Sequence, residues 1–196
     1  MSEPVVTASE RARVEYHTFH LADAGQHDQP SFRPENGLIF SRPGLAVVVV
    51  GSNSGVVNLT VEVHAQPVAH VETEEWDEVL DHSVQSLSGQ MRISSLMNEP
   101  ADLPVLTPYG PGPYRVRVHA RGRDRAGDAH TAEPLEDYLL QIWPGPAEPD
   151  LVHKRSDRYG ESLREAASNQ PEEPSLPASE ETWRSKASAR LRRHDN

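Results

Sequence analysis

No cysteine occurs in the 196 residues, which removes disulfides, thiol nucleophiles, iron–sulfur clusters and thiolate zinc sites in one step. A reducing, cytoplasmic setting is the expectation. Lysine is nearly absent as well, with only Lys154 and Lys186 against 17 arginines. Together with abundant Ala, Pro and Gly, this bias reads as a GC-rich bacterial coding background, so arginine number alone is no nucleic-acid signal. Long hydrophobic runs are also missing. The longest, Leu45 to Val50, has six residues, far below the roughly 20 of a membrane-spanning helix, and reads as a buried strand. Met1 to Arg13 carries Glu3, Glu10 and two arginines but no apolar stretch of the signal-peptide kind. Neither export nor a membrane partner is expected.

What the chain has in excess is acid, and the excess is uneven. Residues 1 to 150 hold 10 arginines and 22 Asp or Glu, whereas the remainder holds 9 basic and 8 acidic residues. The composition changes at Pro144-Gly145-Pro146-Ala147-Glu148-Pro149, where three prolines exclude a helix or an interior strand. The expected organisation is therefore an acidic domain over residues 1–146 and a Pro-rich, largely disordered tail over 147–196.

Within the domain, period-two alternation dominates. Val57, Leu59, Val61 and Val63 interleave with Asn58, Thr60, Glu62 and His64, and Tyr114, Val116 and Val118 with Arg115, Arg117 and His119, as on half-buried strands. Further strands are expected over Arg13–His20, Gly37–Phe40, Leu45–Val50, Glu78–Gln85, Gln90–Ser95 and Asp137–Trp143. Gly51-Ser52-Asn53-Ser54-Gly55 and Ser88-Gly89 tolerate positive φ and predict hairpins between their flanking strands. The segment His70 to Leu80 reads as an acidic loop running into a strand. About eight short strands without an internal repeat predict an all-β fold, an antiparallel β-sandwich or barrel-like domain.

Beyond Pro149, Leu151 to Gly160 either lies back against the domain or is mobile. Gln170 to Ser179 has a linker composition. From Glu180 to Arg193, Trp183, Ala187 and Leu191 recur at helical spacing among five basic residues, predicting a short terminal helix that is marginal in isolation.

Ten histidines raise the question of a metal. His17 and His20 are followed by His64, His70, His82 and His119, yet none stands in a metal-ligand motif, so no metal or other cofactor is expected. The Glu72 to Asp81 run holds six acids in ten residues, a pattern more typical of a solvated face than of a catalytic pair. Gly51 to Gly55 matches neither a nucleophile elbow nor a phosphate loop. Arg115, Arg117 and Arg121 share one face of their strand with His119, suited to an acidic partner or to pairing with Glu78 and Asp81 within the chain. A nucleic-acid partner is excluded by the acidity of the domain and the lack of an aromatic stacking platform.

Two stretches together resemble a known family. Val14-Glu15-Tyr16-His17-Thr18-Phe19-His20-Leu21 resembles the Tyr-His-x-Phe start of the competence protein J family. Gly112-Pro113-Tyr114-Arg115-Val116-Arg117-Val118-His119-Ala120, with Tyr138-Leu139-Leu140-Gln141-Ile142-Trp143-Pro144, is similar to the closing strands of its uncharacterised bacterial relatives. The resemblance implies a compact β-domain and, for founding members, inhibition of a DNA-degrading nuclease by binding it.

The functional expectation is a non-catalytic protein-binding domain, an inhibitor or immunity-like partner of a basic nuclease or toxin. Its contact residues are expected among Glu72, Glu74, Glu75, Trp76, Asp77, Glu78, Asp81, Arg115, Arg117 and Arg121. The alternatives are a hydrolase with a carboxylate/histidine site and a scaffold or sensory module acting through the tail.

Overall fold

A computed structural model describes residues 3–24, 35–95, 101–126 and 133–169. Ten strands follow one another: β1 (Val6–Glu15), β2 (Thr18–Ala22), β3 (Ile39–Arg42), β4 (Leu45–Val49), β5 (Ser54–Val63), β6 (Glu78–Ser86), β7 (Arg92–Ser94), β8 (Gly112–Arg121), β9 (Asp137–Pro144) and β10 (Leu151–Arg155). Two helices complete the described elements, α1 (Arg123–Ala126) between β8 and β9 and α2 (Arg158–Asn169) after β10. The fold is all-β and barrel-like: one curled, mixed sheet makes a half-barrel in the order β10-β6-β8-β9-β5-β1-β2-β4-β3, with β7 joining β2.

The expected alternation builds its centre. Val57, Leu59, Val61 and Val63 meet Tyr138, Leu140 and Ile142 of β9 and Tyr114, Val116 and Val118 of β8 on the concave face, every one of them at most 3 % exposed. Phe19 and Tyr138 cross edge to face at 5.4 Å, a preferred aromatic geometry. Curling brings the ends of the sheet together, since Gly44 in the β3–β4 turn donates its N–H to Gln85 O of β6 at 2.8 Å and Ser41 Oγ lies 2.8 Å from His82 Nε2.

Several expectations are corrected. All pairings are antiparallel except β5 with β9, which is parallel. Gly51 to Gly55 does not make a hairpin, because β5 pairs with β1 over ten residues and β4 pairs with β2 and β3. Ser88-Gly89 likewise bends the chain between β6 and β7 without pairing them; β7 adds to β2. Turn chemistry marks where a chain reverses, but which strands then pair is decided by the faces they must bury. The strand expected over Arg13–His20 is in fact two, broken by Tyr16 and His17 at φ 51° and 61°, the two-residue type I′ pattern of a tight hairpin. That hairpin is legible only weakly, as neither residue is a glycine.

Ordered structure also runs past the expected boundary at residue 146. Strand β10 pairs antiparallel with the first half of β6, and α2 packs against the end of the half-barrel. Gly37, at φ +80°, permits this packing, because a Cβ there would stand 2.7 Å from Gly160 O and 2.6 Å from Arg164 Nη1. The expected terminal helix over residues 180–193 lies outside the described residues.

A buried polar cluster closes this end. Arg123 is 1 % exposed; its Nε and Nη2 donate to the two carboxylate oxygens of Asp157 at 2.5 and 2.9 Å, and its Nη1 donates to Gly37 O and Val49 O. Glu136, fully buried, accepts from Gly51 N, Ser52 N, Ser52 Oγ and Tyr138 Oη within 2.8 Å. Glu78 faces Arg164 Nη1 at 3.3 Å from both of its oxygens. Such groups are tolerated in an apolar interior only when paired and hydrogen-bonded, as here.

Candidate functional site

The convex side of β5, β9 and β8 is where the sequence-derived contact residues gather, except Glu78, which faces inward to the buried cluster with Arg164. In an antiparallel or parallel ladder, residues in register on one face form rows across the strands, and three such rows lie here. Glu62, Gln141, Arg117 and Asp81 form one, Thr60, Leu139 and His119 the next, and Asn58, Asp137 and Arg121 the third. Alternation puts Arg115, Arg117, His119 and Arg121 together on this face, as expected from their spacing.

A strap of irregular chain, residues 64–77, crosses the rows. Arg117 Nη1 donates to Val68 O and His70 O at 3.0 and 2.9 Å, and Lys154 Nζ donates to Thr73 O at 2.9 Å. At its far end Asp77 N donates to Ala120 O, and Asp77 Oδ2 accepts from Gly122 N at 2.8 Å. Trp76 is the strap's anchor. Its ring lies 5.3 Å from the His119 ring, and the Arg121 guanidinium stands over it at 5.2 Å, within the range of a cation–π contact.

The ten expected contact residues therefore separate into three groups. Glu72, Glu74 and Glu75 are exposed on the strap, while Trp76, Asp77 and Arg121 are half-buried around its anchored end. Arg121 is shared between Asp137, at 2.8 Å, and the exposed Glu75, at 3.4 Å. Glu78, Asp81, Arg115 and Arg117 are at most 4 % exposed and so present no surface to a partner. Arg117 grips Asp81 with two bonds, Nε to Oδ1 at 2.6 Å and Nη2 to Oδ2 at 3.0 Å, and lies 5.3 Å from the Trp143 ring centre. Arg115 is spent on Ser83 Oγ and the carbonyls of Glu148 and Pro149. Of the two roles open to this arginine face, pairing within the chain is the one that Arg117 takes up.

Sequence reading weighed His64, His70 and His119 only as metal ligands and did not bring them together with Glu62 beneath the strap. His64 and His119 are each 1 % exposed, and Glu62 accepts from Gln141 Nε2 at 2.8 Å. Burial pushes the His119 imidazole down to about 4, with the Arg117 charge adding to it and the Leu139 carbonyl opposing. His119 is thus neutral at physiological pH. His153 Nε2 is 3.2 Å from Asp81 Oδ1 but lacks hydrogen-bond geometry. Among the described residues no group of three His, Asp or Glu is arranged to hold a metal ion, and no helix is long and apolar enough to cross a membrane.

No family model matches the chain, and no curated protein matches it. Two solved structures are similar. One is ComJ, inhibitor of the DNA degrading activity of NucA, from Bacillus subtilis, with a TM-score of 0.45 and 13 % identity over 73 % of this chain and 98 % of that one. The other is described as crocagin biosynthetic gene J, with a TM-score of 0.44 and 13 % identity over 72 % of this chain and 98 % of that one. ComJ belongs to the family that the Tyr16 and Tyr114 segments resemble.

Proposed function

We propose that this is a non-catalytic domain that binds a basic protein, in the manner of an inhibitor or immunity partner of a nuclease or toxin, through the ridge formed by Glu72, Glu74 and Glu75. The observation that carries this reading is the contrast between the two sets of charges on the convex face. The buried charges Asp81, Arg115 and Arg117 are used up internally, whereas the three ridge carboxylates are exposed on a strap that is bonded to the sheet at both ends. A surface that keeps its shape before binding loses little entropy on binding. An enzyme acting on a polyanion presents a positive cleft, and an acidic ridge is steered towards it by the same long-range field.

Immobilised full-length protein is expected to capture a basic nuclease or toxin, to block that protein's activity, and to release it as salt is raised. The triple variant E72Q/E74Q/E75Q should slow association by at least about tenfold at low salt while unfolding at the same urea concentration as the parent. Equal capture by parent and variant would remove the ridge from the interface. Inhibition that survives high salt unchanged would remove electrostatic steering from the account.

A further inference from the structure

Where the curled sheet closes on itself, three side chains from distant parts of the chain stand in line. Ser41 Oγ of β3 lies 2.8 Å from His82 Nε2 of β6, and His82 Nδ1 lies 2.6 Å from Oδ1 of Asp150, the residue before β10. A carboxylate only accepts, so His82 Nδ1 carries the hydrogen, and in the neutral ring Nε2 is left to accept from the Ser41 hydroxyl. Although burial pushes Asp150 up, its bond to His82 leads the effects that hold its carboxyl below the ordinary value, so it is ionised at neutral pH. Its other oxygen accepts from Asn36 Nδ2 at 2.6 Å, and Asn36 Oδ1 is itself fixed by Leu38 N and Ile39 N, both at 2.9 Å. The carboxylate is thus braced from behind, as the supporting shell of a reactive site must be. The line opens to solvent, since the side chains of His82 and Asp150 are 14 % and 32 % exposed and Ser41 is half-buried.

We propose that Ser41 is a nucleophile that accepts an acyl group from an activated carboxylic ester, with His82 as its general base and Asp150 as the positioning residue for that base. The site shares no residue with the acidic ridge, and neither reading depends on the other. Hydroxyl, imidazole and carboxylate joined in this order by hydrogen bonds are the arrangement that activates a serine. As Ser41 Oγ bonds to the carbonyl carbon of the ester, His82 Nε2 takes the hydroxyl proton. As the bond from that carbon to the leaving oxygen breaks, the proton passes from His82 to the departing oxygen, and the products are an esterified Ser41 and a free alcohol. Ser41 is consumed by this step, so the protein is the acceptor and not a catalyst. The charge that builds on the carbonyl oxygen needs a donor, and β3 supplies one. Val49 N donates to Leu38 O. With the β3–β4 register the bonded rungs then fall at residues 38, 40 and 42, and the Ser41 N–H points away from β4, off the edge of the sheet. Ser83 O, 3.1 Å from Ser41 Oγ, is a second acceptor for the hydroxyl. A tie between β3 and β6 that serves the fold alone would use the same bonds, and it predicts no acylation.

The test uses the full chain and p-nitrophenyl acetate as the ester. Release of p-nitrophenol is expected to accompany transfer of an acetyl group to Ser41, located by mass spectrometry of peptides from the parent protein. His82→Gln should slow acetylation of Ser41 by about 100-fold, within the usual range for a general base. Asp150→Asn should slow it by at least about tenfold, and Asp150→Glu, which keeps a carboxylate, should recover part of that rate. If a variant loosens the sheet, the parent still decides, because Ser41 must be acetylated at least about tenfold faster than the other serines. No acetyl on Ser41, acetyl spread evenly over the serines, or an unchanged rate at Ser41 in a His82→Gln variant that keeps the parent's urea midpoint would overturn the proposal. Those results leave the ridge untouched, because the ridge is read from partner capture by the triple variant.

Discussion

Arg123→Ala is expected to lower the free energy of unfolding by about 3–5 kcal/mol, the usual cost of breaking a buried ion pair from one side. The reason is what the substitution leaves behind. Asp157, 4 % exposed, would keep its charge without the guanidinium that now makes two bonds to it, and Gly37 O and Val49 O would each lose a donor. The ring of Tyr159, 5.5 Å from the Arg123 guanidinium, would lose its cation as well. Urea denaturation should show the midpoint falling, and amide exchange should show α2 losing protection first, because Asp157 caps that helix through Gly160 N at 2.9 Å. The double variant Arg123→Met/Asp157→Leu should recover much of the loss, since replacing a whole buried pair by apolar groups is far less costly than orphaning one member. A single-variant loss below about 1 kcal/mol would show that the pair is solvated and not part of the interior.

The second large effect concerns pH, and it is expected to be hidden in the parent protein. Burial first, then a hydrogen bond and the charge of Asp157, raise Glu78 from 4.5 to about 7, while Arg123 and Arg164 pull the other way. A raised carboxyl pKa means that the folded state binds more protons, so this stability is present below pH 4.5 and is lost as pH rises through 7. His119 runs in the opposite sense: burial lowers it from 6.5 to about 4, so the unfolded state binds more protons and stability increases between those values. Burial lowers His20 as well, with Glu15 opposing. Each of the two larger shifts is worth about 2 kcal/mol between pH 5 and pH 7, and their signs are opposed. The parent should therefore change little across that window. Glu78→Gln should unmask the histidines and become more stable by about 2 kcal/mol on going from pH 5 to pH 7, read by urea denaturation at both values. A flat profile in the variant would show that Glu78 is not the group that balances them. At lower pH a separate loss is expected in both proteins. Although burial pushes Asp23, Asp124, Asp137 and Asp150 up, their hydrogen bonds outweigh it and hold each below its ordinary value, so their contribution disappears as pH falls below about 4.

Legibility in the sequence followed the length and apolarity of each repeat. Strands β5, β8 and β9 were readable to within a few residues because Val, Leu, Ile and Tyr mark one face in each. The first half of β1 was not, since Ala8, Glu10 and Ala12 occupy its inward positions, and β10 was obscured by Lys154 and Arg155 at the end of a short apolar start. The candidate site was readable in part. The acidic ridge shows as a charge run, but a charge run carries no depth: Glu72, Glu74 and Glu75 are exposed, whereas Glu78 and Asp81, a few positions on, are inside. The same holds for the arginines, as Arg115 and Arg117 alternate outward from the core and are then covered by the strap and the 144–150 segment.

By itself the sequence determined the class of the fold, the absence of thiol chemistry, the acidic character of the domain and the residues from which its interior is built. Each of these depends on residue type and on spacing along one strand. Only the tertiary structure decided the parallel β5–β9 pairing, the docking of β10 and α2, and the internal use of Arg117, Arg123 and Asp81. Those depend on which strands lie side by side, a matter settled by burying all the apolar faces together, and no local pattern encodes it.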